Sequence, residues 1–143
     1  MDQLDEEIVN LLDTGTIKYT ALAKKLGIPI STVHMRIKKL EGAGVIKHYR
    51  GEIDWKKTGL TLCAYILISI DVDTLKRIKK TQEKLLGELL AVPFVREGCI
   101  VTGEADLLIK VVAKDTADLR EIILGSLGQI EGISKSKTMI VLD

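Results

Sequence analysis

The sequence has little cysteine, little aromatic character and almost no asparagine. Two of its 143 residues are cysteine, and aromatic side chains make up 3% of the chain. Cys63 and Cys99 lie far apart in separate apolar segments, which favours two reduced core thiols over a disulfide framework. The core must therefore be aliphatic, and hydrophobic residues, at 46%, are numerous enough to form one. Asn10 is the only asparagine, a scarcity that indicates a thermophilic or archaeal source.

Long hydrophobic runs and catalytic motifs are absent as well. No stretch of about 18 uncharged apolar residues occurs, and the chain begins with the acidic segment MDQLDEE. We therefore expect a cytoplasmic protein with neither a signal peptide nor a membrane partner. Neither cysteine is paired with a histidine in a catalytic pattern, and no metal-ligand spacing or phosphate-binding loop is present. The sequence predicts no cofactor, no metal and no catalytic residue.

The charge that is present is concentrated in one segment. The formal net charge of the chain is only +1, but residues 18–57 carry ten lysines and arginines against three acidic residues, a local net of +7. From residue 60 onward, eleven basic residues are set against twelve acidic ones, a net of −1. A basic segment in a nearly neutral chain indicates a polyanionic partner, such as double-stranded DNA. The alternative is a lysine-rich face that is merely solvated.

The first half of the chain has the pattern of a winged helix-turn-helix. Apolar residues recur at helical spacing in three stretches, each followed by glycine: residues 4–12, 20–26 and 30–40. The segment VIKHYRGEI then predicts two short strands around Arg50 and Gly51. Helix, helix, turn, helix and small hairpin is the order of a winged helix-turn-helix, which we place at residues 1–53. The polar residues 54–60 suit a linker.

The second half, residues 61–143, has the pattern of a ferredoxin-like αβ sandwich, so that the whole chain is of the α+β class. We predict strands at residues 60–70, 94–101, 105–113 and 133–142, and helices at residues 73–90 and 116–127, the last with Asp115 as N-cap. This is the order βαββαβ. One face of such a sheet has no helices over it, yet the strands are apolar on both sides, as at Tyr65, Leu67, Leu108 and Val112. Because this face is apolar and uncovered, we predict that it packs against a second copy of the chain.

The third helix is the candidate for reading DNA. Val33, Ile37 and Leu40 form the side that holds it to its own domain, and a cationic, hydrogen-bonding surface lies opposite. Hydroxyls and imidazole can bond base edges, a methionine can touch a thymine methyl group, and lysines can neutralise phosphate. Arg36 suits a structural role as well as it suits DNA contact. The predicted DNA-binding residues are Thr20, Ser31, Thr32, His34, Met35, Lys38, Lys39, Lys47 and Arg50.

The turn VTGEAD is the candidate for binding a small molecule. Gly103 allows backbone amides to approach a carboxylate closely, and Glu104 or Asp106 could meet an ammonium group. An amino acid offers both groups. Spacing alone favours an ordinary glycine-containing hairpin turn. The predicted effector-binding residues are Thr102, Gly103, Glu104 and Asp106.

The chain resembles the Lrp/AsnC (feast/famine) transcriptional regulators over nearly its whole length. The resemblance is carried by Leu22-Ala23, by STVHMRIKKLE and GVI in the third helix and beyond it, by TGEADLLIK at 102–110, and by the C-terminal TMIVL. It implies a winged helix-turn-helix joined to an effector-binding domain that dimerises through its sheet and often assembles into octamers. It also implies that the loop at 102–106 binds the effector, with an amino acid as the expected ligand.

The expected function is sequence-specific DNA binding by a transcriptional regulator whose oligomerisation or DNA affinity changes with a small effector. Two alternatives remain open. Siroheme decarboxylases resemble the same two-domain plan, but they would need histidine or arginine in the αβ domain, where only Arg77, Arg96 and Arg120 occur and histidine does not. A sensing module without DNA binding would not need the basic third helix.

Overall fold

Three helices build the N-terminal part of the protein, as the sequence predicts. The computed structural model describes residues 1–142. The helices run over Gln3–Asp13 (α1), Tyr19–Leu26 (α2) and Ile30–Gly42 (α3). Together with the segment up to Glu52 they form one of the two compact units of the chain, and the other begins at Ile53.

Local signals set the ends of these helices. The Asp2 carboxylate accepts a hydrogen bond from the amide of Asp5 at 2.9 Å, and the Asp5 carboxylate accepts one from the amide of Asp2 at 3.1 Å, which closes a capping box at the start of α1. Gly27, with φ of 63°, ends α2 in the left-handed conformation. Pro29 is the N-cap of α3, so that Ser31 and Thr32 lie in its first turn. The fully buried Ile8 and Leu22 pack with the predicted inner side of α3 to form the core of this unit.

The predicted hairpin after α3 is not formed. Within the described residues, no strand lies between Gly42 and Leu62, and residues 47–52 take part in no backbone hydrogen bond. The alternating pattern of VIKHYRGEI is that of a strand, but the ladder needs a partner segment that this stretch does not supply. The prediction of two strands around Arg50 and Gly51 is therefore wrong for the single chain.

The second unit is a four-stranded antiparallel sheet with helices on one face. A 3₁₀ turn at Trp55–Thr58 precedes it, within the residues that the sequence suggests as a linker. Its elements are β1 (Leu62–Ile70), α4 (Val72–Arg77), α5 (Gln82–Leu90), β2 (Val95–Ile100), β3 (Leu107–Ala113), α6 (Thr116–Glu121), a π-helical turn (Ile122–Leu127) and β4 (Ile133–Ile140). The strand order β2-β3-β1-β4 is that of the predicted βαββαβ sandwich, so the predicted fold class is confirmed. No helix within residues 1–142 is long and apolar enough to cross a membrane.

Alternation along β1 places the core on the helix side of the sheet. Ala64, Ile66 and Ile68 are fully buried there, and they are paired with Val111, Ile109 and Leu107 of β3. The pairing is in register over the whole of β3, from Leu62 with Ala113 to Ile68 with Leu107. Because side chains alternate with a period of two, this register sends the intervening residues of both strands to the opposite face.

Both predicted helices of this unit are interrupted. The first breaks at residues 78–81, where Lys79 has a φ of +54° and the Thr81 hydroxyl accepts from the amide of Lys84 to begin α5. The ammonium of Lys80 bonds the carbonyl of Glu131 at 2.8 Å and forms an ion pair with Glu88, which holds the break in place. The second predicted helix changes from α to π geometry after Glu121. Its predicted N-cap is present, since the Asp115 carboxylate accepts from the amide of Asp118 at 2.8 Å.

The face without helices is less uniformly open than the sequence predicts. Tyr65, Leu67 and Leu108 are half-buried on it, but Val112 is fully buried. The expectation of two core thiols is also wrong in part. Both cysteines lie on this face, where Cys63 is paired with Val112 and Cys99 with Leu108, but Cys63 is half-buried on the central strand β1 whereas Cys99 is exposed on the edge strand β2.

Candidate DNA interface and effector loop

The predicted DNA-binding side chains of α3 lie at its surface. Ser31, His34, Met35, Lys38 and Lys39 are exposed, with Met35 at 62%, and Thr32 is half-buried. Outside α3, the other three predicted residues are exposed too: Thr20 in the first turn of α2, and Lys47 and Arg50 in the segment that follows α3.

One flank of α3 is occupied by the acidic start of α1. The Arg36 guanidinium forms ion pairs with Asp2 and, at 3.2 Å, with Asp5. The carboxylate of Asp5 is fully buried, and the Lys39 ammonium lies 3.8 Å from it. Arg36 therefore anchors α3 to α1. Lys39 has part of its charge balanced within the protein, even though its side chain is 65% exposed.

The other flank of α3 meets two tyrosines. The ring of His34 contacts the ring of Tyr19 edge-on, with a centroid separation of 4.4 Å. Further along the helix, the Tyr49 hydroxyl donates to the Glu41 carboxylate at 3.0 Å. Desolvation of the hydroxyl, followed by its hydrogen bond to Glu41, raises the pKa of Tyr49, although 46% of the residue as a whole is exposed. Sequence reasoning did not find this cluster, because no spacing rule links a tyrosine of α2 to one beyond α3.

Between the two flanks, α3 has a free outer face. The side chains of Ser31, Met35 and Lys38 form no hydrogen bond or ion pair with any residue that the structure describes. They follow one another at helical spacing and can meet the major groove without losing a contact inside the protein. We call Ser31, Met35 and Lys38 the reading face.

The anchor between Arg36 and the start of α1 predicts a specific acid sensitivity. The hydrogen bond from Arg36 lowers the pKa of the Asp2 carboxyl from 3.8 to about 2. A depressed pKa stabilises the fold above the unfolded value and ceases to do so as pH falls through the folded value. We therefore expect the Asp2 contribution to the stability of this unit to be complete above about pH 4 and lost as pH falls toward about 2.

Carboxyl titration by NMR checks this directly. We expect an Asp2 midpoint near pH 2 in the wild type and a higher one in the Arg36→Ala variant, closer to the ordinary value of 3.8 but still below it because the hydrogen bond from the Asp5 amide remains. Lys39→Ala is the matched control, since the Lys39 charge acts on Asp2 more weakly than Arg36 does, and it should move the midpoint little. A wild-type midpoint near the ordinary value would show that the ion pair does not persist in solution.

The predicted effector loop lies between β2 and β3. Gly103 has a φ of +110°, a conformation that side-chain-bearing residues rarely adopt, and open space surrounds the position where a Cβ would lie. Thr102 and Glu104 are exposed, and Ala105 is buried below them. The structure thus brings the four predicted residues, Thr102, Gly103, Glu104 and Asp106, into one short turn.

Asp106 fixes this turn to the end of β1. Its carboxylate accepts from the amide of Ile70 at 2.8 Å, and its own amide donates to the Ile68 carbonyl at 2.9 Å. Its carbonyl accepts from the amide of Val101 at 2.9 Å. In the structure, this carboxylate therefore orders the turn.

The turn leaves hydrogen-bond donors unused. The amides of Thr102, Gly103 and Glu104 donate to no group within residues 1–142. Successive free amides at a left-handed residue form a concave donor surface that suits an anion such as a carboxylate. The exposed carboxylate of Glu104 lies in the same turn and offers a counter-charge for a cationic group.

Comparison with known proteins assigns a function class to each unit. A family model for winged helix-turn-helix DNA-binding matches residues 1–47. A model for the Lrp/AsnC ligand binding domain matches residues 63–143. The two matches cover the unit that carries the reading face and the unit that carries the effector loop.

Relatives and solved structures cover the chain from end to end. An uncharacterized HTH-type transcriptional regulator of Pyrococcus abyssi is 35% identical over 144 residues, covering 100% of this chain and 93% of the relative. The HTH-type transcriptional regulator FL11 of Pyrococcus furiosus is 29% identical over 99% of this chain and 89% of its own. The structure of E. coli AsnC has a TM-score of 0.77 at 27% identity, covering 100% of this chain and 93% of that one. NMB0573 of Neisseria meningitidis has a TM-score of 0.82 at 24% identity, over 100% and 90% of the two chains.

A helix-turn-helix and a ligand-binding αβ domain in one chain define a DNA-binding transcriptional regulator with a ligand-binding domain, not an enzyme. The chain belongs to the Lrp/AsnC family of transcriptional regulators. This confirms the family predicted from the sequence. The Pyrococcus source of several relatives also fits the archaeal origin expected from composition.

Proposed function

We propose that the effector is an amino acid and that the turn at Thr102–Asp106 binds it. This proposal rests on the three free amides of the turn and on the Asp106 carboxylate, which fixes the turn to the end of β1. The amides would hold the α-carboxylate, and the second oxygen of Asp106 or the carboxylate of Glu104 would hold the ammonium group. A charged Glu104 favours an effector with a cationic or polar side chain. In support, the solved structure of NMB0573, at 24% identity, is a complex with L-Met.

On the DNA side, we propose that α3 enters the major groove with Ser31 and Met35 of its reading face toward the bases and Lys38 toward the phosphate backbone. Thr20, Thr32 and His34 would contribute from the margins, and Lys39, Lys47 and Arg50 would contact phosphates. Hydroxyl, thioether and ammonium groups together can meet base edges, thymine methyl groups and phosphate oxygens. In a dimer, two such helices would read half-sites about one helical turn, or a multiple of it, apart.

We also propose that the protein is a homodimer, able to assemble further to an octamer, and that the sheet face without helices joins the two copies. Tyr65, Leu67 and Leu108 lie at its centre, half-buried, and Met139 beside them is 48% exposed. Burying about 800 Å² on each copy is typical of a stable interface, and a four-stranded sheet face can supply an area of that order.

The Leu67→Asp substitution tests this interface in the full chain. A carboxylate at the centre of the interface would have to be desolvated, and its cross-strand neighbour Lys137 would offset only part of that cost, so we expect the variant to be a folded monomer where the wild type is a dimer. Light scattering over a range of concentrations measures the mass. Lys135→Asp, on the same face but at its exposed margin, is the matched control and should remain dimeric. A dimeric Leu67→Asp protein would place the interface on another surface.

Thermal unfolding in the presence of each amino acid in turn tests the effector proposal. Selective binding to the folded state raises the midpoint of unfolding, by an amount that grows with ligand concentration. We expect at least one amino acid to raise it, with cationic or polar ones ahead of apolar ones. If none does so at millimolar concentration, the effector is not an amino acid.

A further inference from the structure

The segment that carries Lys47 and Arg50 is held by few contacts. Residues 47–52 make no backbone hydrogen bond within the part of the chain that the structure describes. One side of the segment borders an open cavity of about 630 Å³, whose wall includes Val9, Leu12 and Ile17. The segment is therefore neither paired as a strand nor packed closely on the helices, and its position depends on side-chain contacts.

Tyr49 provides such a contact at the middle of the segment. Its hydroxyl donates to the Glu41 carboxylate of α3 at 3.0 Å. Lys47 and Arg50, two residues before it and one after it, are exposed. A tether at Tyr49 thus fixes where both cations lie relative to α3.

Tyr19 performs a comparable role for His34. The edge-on ring contact at 4.4 Å restricts the imidazole to one side of α3, next to the reading face. A side chain already held in its bound conformation loses less entropy when it meets DNA. Tyr19 and Tyr49 thus each contact a side chain of the reading helix, Tyr19 at His34 and Tyr49 at Glu41, and we call these two residues the tyrosine cluster.

We infer that the tyrosine cluster positions DNA-contacting groups: Tyr49, through Glu41, holds Lys47 and Arg50 against the phosphates, and Tyr19 holds His34 at the base edges. This inference rests on the DNA contacts proposed above for these three residues. Neither tyrosine needs to touch DNA itself. They affect DNA affinity only by positioning Lys47, Arg50 and His34.

Double-mutant cycles separate positioning from a general effect on folding. The probe is a duplex of about 40 base pairs, long enough for two half-sites, recovered from a random-sequence pool by binding to the wild-type full chain. Tyr49→Phe removes one hydrogen bond, which orients two phosphate contacts, and should weaken DNA binding about fivefold. In the Lys47→Ala/Arg50→Ala background, the same substitution should weaken DNA binding by less than about 1.5-fold.

Matched variants cover the other two positions. Glu41→Gln keeps an acceptor for the Tyr49 hydroxyl and should bind nearly as wild type, whereas Glu41→Ala should behave like Tyr49→Phe. Tyr19→Leu should reduce discrimination between the recovered duplex and a scrambled one, and Tyr19→Phe, which keeps the ring, should restore it. In the His34→Ala background, Tyr19→Leu should have no further effect on discrimination.

The outcomes are distinguishable. If the wild type binds no duplex, the proposed DNA contacts fail and this inference fails with them. If the wild type binds but the affinity losses of the single variants add in both double-mutant cycles, the proposed DNA contacts stand and the positioning role is overturned. If the tyrosine variants also melt at a lower temperature and their affinity losses are additive, the tyrosine cluster contributes to folding alone.

Discussion

Replacing Lys38 by alanine is expected to weaken duplex binding by about tenfold and to lower the slope of log affinity against log salt by about one unit per protomer. Lys38 lies on the reading face and has no ion-pair partner among the described residues, so its whole charge is available to phosphate. The loss should be similar for recovered and scrambled duplexes, because a phosphate contact carries no sequence information. Fluorescence anisotropy titrations at several salt concentrations measure both quantities.

Lys39→Ala is the matched control on the same turn of α3. Its ammonium lies 3.8 Å from the buried carboxylate of Asp5, so its charge is partly balanced before DNA arrives. Its replacement should therefore cost less affinity than that of Lys38 and change the salt slope less. Equal affinity and salt slope for the wild type and Lys38→Ala would exclude this face of α3 from the interface.

Replacing Asp106 by alanine is expected to abolish stabilisation by the effector and to destabilise the second unit. The substitution leaves the partly buried amide of Ile70 without its acceptor, which costs on the order of 1–3 kcal/mol. It also releases the turn that presents the three free amides. The N-terminal unit should keep its helices and its affinity for DNA without effector, because it forms a separate compact unit.

Asp106→Asn separates the two roles of this carboxylate. The amide oxygen can still accept from Ile70, so the turn and the stability should be retained, but the negative charge is lost. If Asp106 binds the ammonium group, effector affinity should fall about tenfold or more in a calorimetric titration of this variant. Affinity equal to wild type in Asp106→Asn would restrict Asp106 to ordering the turn and leave Glu104 as the ammonium partner. Affinity equal to wild type in Asp106→Ala would place the effector elsewhere.

Periodicity accounts for the parts of the fold that sequence alone predicts. The period-two alternation of β1 specifies which side chains enter the core, and the apolar positions of α3 specify its buried side. Periodicity does not detect the break at residues 78–81, because apolar positions continue at helical spacing in both α4 and α5. Thr81 is a helix-capping residue in the middle of this stretch, and it is the signal that could have located the start of α5.

The remaining differences arise from contacts between distant parts of the sequence. VIKHYRGEI alternates as a strand does, but strand formation depends on a partner that local sequence does not reveal. The residue types at 102–106 locate the candidate effector turn, but they do not show that Asp106 bonds a backbone amide at the end of β1. The DNA-binding and effector-binding assignments, and the domain limits 1–53, 54–60 and 61–143, stay predictions until they are tested.

Most directly, the affinity of the wild-type full chain for the recovered duplex should be measured by anisotropy with and without each amino acid. Because effector and DNA binding are linked, an amino acid that acts through the protein must change its DNA affinity, and couplings of this kind are typically about 5- to 150-fold. We predict such a change with at least one amino acid, and its loss in Asp106→Ala. DNA affinity that is the same with every amino acid, or a change that persists in Asp106→Ala, would contradict regulation by an amino acid at this turn.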